Sequence, residues 1–275
     1  MRWFLAICGL FAFTLAQAPP AAAANGRVDI QWLGQSAFRI VSLDNKVIVI
    51  DPFLTKNQKT PAAYKDLDRL GRVDLILVTH GHFDHVGDVA EIARRTGARV
   101  IAPPGLAGTL VSLGLVRKEQ AIFMNKGGKV APLGDGIRIA MVPAEHSSEF
   151  SHRDPQTGQT GTYVGGEPVG YVVEFEDGFR LYHMGDTTVF SDMALIEKFF
   201  EPHLLLVPIG GHFVMDPQDA AYATRTYFEA DFAIPIHYGT FPPLKGTPVE
   251  YVGALGDSKT EVIVMSPGDE LGFRR

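Results

Sequence analysis

The sequence predicts an α/β fold, a four-layer αββα sandwich formed as a single domain. Three observations lead there. Short apolar, β-branched runs alternate with helical patterns, the early runs follow one another at hairpin spacing, and neither a repeat nor a low-complexity linker divides the 275 residues. Strand patterns fall at 28–33, 37–41, 47–50, 75–78, 99–102, 137–142, 171–175, 180–183, 204–208, 232–236 and 261–265. That is too many for one small sheet. Helical patterns occupy the gaps at 86–96, 105–113 (after the Pro103-Pro104 start), 189–199, 217–228 and 247–255. Two sheets packed face to face with helices outside accommodate both sets.

Residues 147–168 carry no apolar period and are rich in Gly, Ser, Thr and Asp, which predicts a long loop. Because it starts beside a candidate metal ligand, it is expected to act as a lid or to be a plain insertion.

The first 24 residues read as a secretory leader and residues 25–275 as the folded domain. Arg2 supplies a positive start, residues 3–15 an apolar run short for a bilayer span, and Ala21 to Ala24 small residues for cleavage. Export to the periplasm or medium follows, with an uncleaved anchor as the alternative. After cleavage no stable membrane insertion is expected. Cys8 is the sole cysteine, and Ile7 before it is too large for a lipoprotein cleavage site, so neither lipidation nor disulfides nor thiolate ligands are expected. Stability must come from a core, which 46% hydrophobic residues can supply. A net charge of −6, without basic clusters interleaved with aromatics, argues against nucleic acid as a partner. A small-molecule substrate is expected; oligomeric state is not readable.

The densest chemical signal is Thr79-His80-Gly81-His82-Phe83-Asp84-His85, directly after the apolar run 75–78. Alternate residues of an extended segment project to one side, so His80 and His82 can reach one ion. Asp84 and His85 come where the chain turns into a helix and can face a second. One or two loop histidines are commonly surface residues, but three with an interposed Asp after a buried strand seldom serve packing. Four ligands do not complete two metal shells. The others are sought at the ends of later apolar strands: His146 after 142–145, Asp186 after 183–185, and His237 after 234–236. Singly each is a common turn residue; as an ordered set they point to a metal centre on one edge of the sandwich.

The ordered set His80-x-His82-x-Asp84-His85, His146, Asp186 and His237 resembles the metallo-β-lactamase superfamily over essentially all of residues 25–275. Ile50-Asp51-Pro52-Phe53, Gly185-Asp186-Thr187, Pro208-Ile209-Gly210-Gly211-His212-Phe213 and His237-Tyr238-Gly239-Thr240-Phe241 resemble its metal-dependent hydrolase branch related to L-ascorbate-6-phosphate lactonase. The resemblance implies the αββα fold and two divalent ions. His80, His82 and His146 would hold one, Asp84, His85 and His237 the other, with Asp186 bridging. Zinc is the first expectation, with manganese and iron compatible with the same donors. Asp186 is not the cysteine of the β-lactamase branch proper, and His82 is not the glutamate of the oxygen-reducing di-iron branch. Hydrolysis is therefore the expected chemistry.

A water shared between two ions about 3.5–4 Å apart is activated without a side-chain nucleophile, and Asp84 can orient it by accepting a hydrogen bond. His212 and Tyr238 are further catalytic candidates, on loops expected to border the site, as donors to a developing oxyanion or a leaving group. Their bland readings are a hydrogen-bonded loop histidine and a packed aromatic. His183 is expected to support the ligands without being one, Asp51 to brace the metal loop, and His152 and His203 to be ordinary loop histidines. The expected substrate is a lactone or a phosphate-bearing small molecule. The alternatives are a phosphodiesterase acting on a lipid or nucleotide, and an exported metal- or ligand-binding protein without turnover.

Overall fold

A computed structural model describes residues 26–275 as one α/β domain; the leader expected over residues 1–24, with Cys8, lies outside them. In chain order the strands are β1 (Val28–Gly34), β2 (Ala37–Val41), β3 (Val47–Ile50), β4 (Leu75–Leu77), β5 (Arg99–Ala102), β6 (Ala121–Phe123), β7 (Lys129–Val130), β8 (Arg138–Pro143), β9 (Glu149–Arg153), β10 (Thr160–Val164), β11 (Val169–Glu174), β12 (Arg180–His183), β13 (Leu204–Pro208), β14 (Phe232–Ile236), β15 (Glu261–Val262) and β16 (Glu270–Phe273). The helices are α1 (Phe83–Val86), α2 (Val89–Thr96), α3 (Pro104–Ser112), α4 (Met193–Phe200), α5 (Pro217–Tyr227) and α6 (Pro248–Leu255).

One sheet runs β16-β1-β2-β3-β4-β5-β6 and the other β15-β14-β13-β12-β11-β8-β7. Each is antiparallel in one half and parallel in the other. The parallel strands read as continuous apolar runs because both their faces are covered. Alternate residues Ile48, Ile50, Leu75, Leu77, Leu204, Leu206, Ile234 and Ile236 meet in a core between the sheets. Their neighbours turn outward: Val49, Ile76 and Val100 pack under α2 and α3, and Leu205, Val207 and Ala233 under α4, α5 and α6. These are the four expected layers.

Two expectations are corrected. Residues 147–168 are not a loop throughout but contain the hairpin β9–β10, paired from Glu149↔Val164 to Arg153↔Thr160. Along β9 only Phe150 is buried, and β10 has no buried residue, so no apolar alternation marks the pair. The helix expected over 86–96 is broken into α1 and α2. The Asp88 carboxylate leaves the helical path to accept from the Leu54 and Thr55 amides and the Thr55 hydroxyl. Gly87 permits the break, since a Cβ there would lie 2.9 Å from the Phe83 carbonyl and 3.0 Å from the Phe53 ring.

Strands β8, β12 and β14 run in the same direction, since β8 and β12 are both antiparallel to β11 and β12 leads by parallel steps to β14. Their C-terminal ends therefore share one edge. Beside that edge β4 ends, held by the Tyr171 hydroxyl, which donates to the Val78 carbonyl at 2.8 Å, and by the Val169 amide on the Thr79 carbonyl.

Candidate metal centre

His80 follows β4, His146 follows β8, Asp186 follows β12 and His237 follows β14, so rigid, buried strands deliver ligand candidates from both sheets to one place. His80, Asp84, His85, Asp186 and His237 are buried, and His82 and His146 partly exposed. Three overlapping groups have donor atoms within 4.8 Å of one another: His80, His82 and His146; His80, His85 and Asp186; Asp84, His85 and His237. His82 Nδ1 lies 3.0 Å from His80 Nε2 and 3.3 Å from His146 Nε2. On the other side His237 Nε2 is 3.4 Å and His85 Nε2 is 3.8 Å from Asp84 Oδ2. Asp186 stands between. Its Oδ2 is 3.0 Å from His237 Nε2, 3.7 Å from His146 Nε2 and 3.8 Å from His80 Nε2, and its Oδ1 is 3.3 Å from His85 Nε2.

Hydrogen bonds behind the rings aim these atoms. Thr79 donates from its hydroxyl to Asp51 Oδ2, and His85 Nδ1 donates to the same oxygen at 2.8 Å, which leaves His85 Nε2 facing the centre. Asp51 thus braces the loop as expected. His80 Nδ1 donates to the Thr79 hydroxyl at 3.0 Å, so its Nε2 also faces inward. His183 is buried with both ring nitrogens engaged, donating from Nε2 to the Ser36 carbonyl and accepting the Gly185 amide at Nδ1. It supports the strand end and offers no atom to the cluster. His152 stacks on Phe150 and His203 Nδ1 accepts from the Arg180 amide, both away from the cluster.

The electrostatics are those of closely packed imidazoles and carboxylates of opposite preference. Burial, then the His85 charge, hold His80 well below the usual histidine range. Burial also opposes charge on His237 and His85, but the carboxylates outweigh it: Asp186 pushes His237 up to about 9, and Asp186 with Asp51 raises His85 well above its ordinary value. Burial works against ionised Asp186 and Asp84, yet the surrounding histidines draw both below the usual carboxylate range. His85 Nε2, Asp186 Oδ1 and His237 Nε2 are buried without a hydrogen-bond partner. Each such atom costs about 1–3 kcal/mol when left unmet. A divalent ion accepts lone pairs from imidazole and carboxylate together, so this donor set fits the implied metals.

Two residues that the sequence did not reveal complete the arrangement. Gln35 donates from Nε2 to Asp84 Oδ2 at 2.8 Å, and its own carbonyl accepts from the Trp32 indole and the His237 amide. It holds a left-handed backbone, φ 54°, in the β1–β2 turn, so no local pattern announces where its side chain goes. Glu149, on the unforeseen hairpin, accepts from His82 Nε2 at 3.2 Å and turns His82 Nδ1 inward. Conversely, His212 and Tyr238 do not line the cavity beside the cluster. Tyr238 packs its ring 5.6 Å from Trp32, against the core. His212, at φ 61° in a tight turn, is exposed with its ring against Phe213.

That cavity, about 500 Å³, opens over the ligands and is bordered by Phe83, Ser147, Phe213, Phe241 and Leu244. Comparison with known proteins accords with the geometry. Residues 46–238 match the Beta-lactamase superfamily domain. The chain is 50% identical to a UPF0173 metal-dependent hydrolase of Cupriavidus taiwanensis, covering 97% of both chains, and 44% identical to one of Rubrobacter xylanophilus, covering 90% of this chain and 97% of the other. Among solved structures, the metallo hydrolase Igni18 of the hyperthermophilic archaeon Ignicoccus hospitalis is 32% identical with a TM-score of 0.77, over 90% of this chain and 99% of that one. The metallo-β-lactamase fold protein YhfI of Bacillus subtilis, at 12% identity and a TM-score of 0.66 over 90% of this chain and all of the other, shares the fold. With a matching fold and relatives this similar over nearly their whole length, the chain belongs to the metallo-β-lactamase superfamily as a UPF0173 metal-dependent hydrolase.

Proposed function

We propose that the protein hydrolyses a small molecule at a centre of two divalent ions, zinc first among the candidates. His80, His82 and His146 would hold one ion and Asp84, His85 and His237 the other, with Asp186 between them. The observation that carries this is the overlap of three donor groups, His80 linking the first to the second and His85 the second to the third, which together offer more donors than a single tetrahedral ion requires. Ions so placed supply Lewis acidity, lowering the pKa of water and polarising the oxygen of the bond to be cut.

The chain's own residues do the remaining work. Gln35 holds Asp84 Oδ2 and leaves Oδ1 to accept a hydrogen bond from the attacking water, orienting its lone pair toward the substrate. The histidines around Asp84 keep it ionised and able to accept. Asp84 borders the cavity, so the oriented water meets a substrate lying there. The bond is that of a lactone or a phosphate-bearing small molecule. The leader pattern of residues 1–24 supports export, which an N-terminus near Asn25 in protein recovered from the periplasm or medium would establish.

Elemental analysis of protein purified without added metal should find two ions per chain. A panel of lactone, ester, β-lactam and bis-p-nitrophenyl phosphate substrates should find turnover. Asp84→Asn should keep the far-UV circular dichroism of the parent while activity falls on the order of 10²- to 10⁴-fold. Two bound ions with no turnover on any substrate would instead make the protein a binder, and full turnover by Asp84→Asn would remove Asp84 from the mechanism.

A further inference from the structure

The cavity over the ligands has two kinds of wall. The floor is formed by five residues of the donor cluster, His82, Asp84, His146, Asp186 and His237, and the sides are Phe83, Phe213, Phe241 and Leu244. Phe83 sits between ligand candidates His82 and Asp84, borders the same cavity and is 61% exposed. It packs edge-on at 5.7 Å against the buried Phe53 ring and at 5.8 Å against Phe241, and Phe53 lies 6.2 Å from Phe241. The three rings form one continuous aromatic side. Phe213 is 54% exposed. Two phenylalanines left in water at the rim of a reactive site are an unfavourable arrangement that an apolar ligand would relieve.

Charge points the same way. Among the described residues no lysine or arginine lines the cavity, whereas Asp84 and Asp186 do and Glu149 stands beside His82. Sites that bind phosphate oxygens commonly present guanidinium or ammonium donors to them. Here the phosphate oxygens turned away from the floor would meet phenyl rings and Leu244, with no guanidinium or ammonium to receive them. A carbonyl substrate develops a single oxyanion, which the floor of the cavity can meet.

Resting on the hydrolase reading, we infer that the substrate is an uncharged lactone or ester whose apolar substituent lies on Phe83, Phe213, Phe241 and Leu244, and that Phe83 and Phe213 set the preference for its size. In the reaction, water oxygen bonds to the carbonyl carbon and the bond from that carbon to the alkoxy oxygen breaks. One water proton ends on the alkoxy oxygen, giving the alcohol, and the other leaves the new acid, giving the carboxylate.

The test compares metal-loaded protein on γ-butyrolactone against γ-octalactone, and on p-nitrophenyl butyrate against p-nitrophenyl phosphate. Burial of a methylene is worth up to about fourfold. Four added carbons should therefore raise kcat/KM on the order of tenfold or more, and the phosphate ester should be the poorer of its pair by a similar factor. Phe83→Ser with Phe213→Ser should reduce the octalactone-to-butyrolactone ratio to about threefold or less. Both side chains are more than half exposed, so folding tolerates the change. Phe213→Ser alone, with thermal melts and metal content, guards against a misfolded double variant.

Binding is measured in parallel, by calorimetry with acetohydroxamate and octanohydroxamate, the longer expected to bind at least tenfold more tightly. Turnover with no preference for octalactone, or with p-nitrophenyl phosphate preferred, overturns the inference and leaves the hydrolase reading standing. No turnover at all sinks the hydrolase reading; tighter octanohydroxamate binding then still supports the apolar seat, and equal binding removes it.

Discussion

At the scale of single residues, the centre depends on which nitrogen each histidine turns inward, and that is decided one bond behind the ring. His82 is the most exposed to this control. Its Nδ1 faces His80 and His146 while Nε2 is held by Glu149 at 3.2 Å, with the Ser147 hydroxyl at 3.4 Å. The pairing also draws the Glu149 carboxyl below its ordinary pKa. Glu149→Gln keeps an acceptor but removes its charge, so metal affinity should fall by about 10- to 100-fold with the fold intact. Competition with a chromophoric chelator measures this, and an unchanged affinity would reduce Glu149 to a surface residue. The ligand candidates were legible in the sequence because four crowd the turn after one apolar strand and His146, Asp186 and His237 each follow another. Gln35 and Glu149 were not, because their roles depend on where a turn and a hairpin come to rest.

At the scale of elements, the hairpin β9–β10 carries Glu149, and its base is seated on the metal loop. Ser148 is the seat: its hydroxyl accepts the Gly81 amide at 3.0 Å and donates to the Gly165 carbonyl at 2.9 Å. A Cβ at Gly165 would collide with the Ser148 carbonyl, backbone that cannot give way locally. Gly165→Ala should therefore displace the hairpin base, costing about 1–3 kcal/mol and weakening metal binding on the order of tenfold as Glu149 leaves His82. Thermal melts and the same chelator titration read both effects; a normal affinity would detach the hairpin from the site. The hairpin escaped the sequence reading because its strands are exposed, whereas 99–102, a run covered on both sides at its apolar positions, was legible to the residue. The two-residue strand β7 exists through its neighbour's register more than through any pattern of its own, and β15 keeps only the first two residues of the run expected at 261–265.

At the scale of the whole molecule, the centre joins the two sheets. Ligands after β4 belong to one sheet and those after β8, β12 and β14 to the other, so ions bound there cross-link the layers at the edge where Tyr171 and Thr79 already tie them. Buried His85 Nε2, Asp186 Oδ1 and His237 Nε2 gain partners on binding. Metal that binds only the folded chain at about 100 times its Kd adds about 2.7 kcal/mol per site. Exhaustive chelation should therefore lower Tm by roughly 5–10 °C or more, and stoichiometric zinc or manganese should restore it. A Tm indifferent to chelation would mean that the centre contributes nothing to holding the sheets together.

Much of this protein was determined by its sequence alone: one α/β domain, four layers, and seven candidate donors, four in the loop and first helical turn after one apolar strand and three at the ends of later ones. Those features follow from local periodicity and residue chemistry, which the chain carries at every position. The tertiary structure decided what lies between distant segments. It brought Gln35 to Asp84 across 49 positions and Glu149 to His82 across 67, and it set His212 and Tyr238 back from the cavity. It also lined the entrance with phenylalanines whose sequence positions, 83, 213 and 241, give no hint that they share a surface. Contacts of that kind arise from strand order and turn geometry, and a one-dimensional pattern does not encode which edge a turn will face.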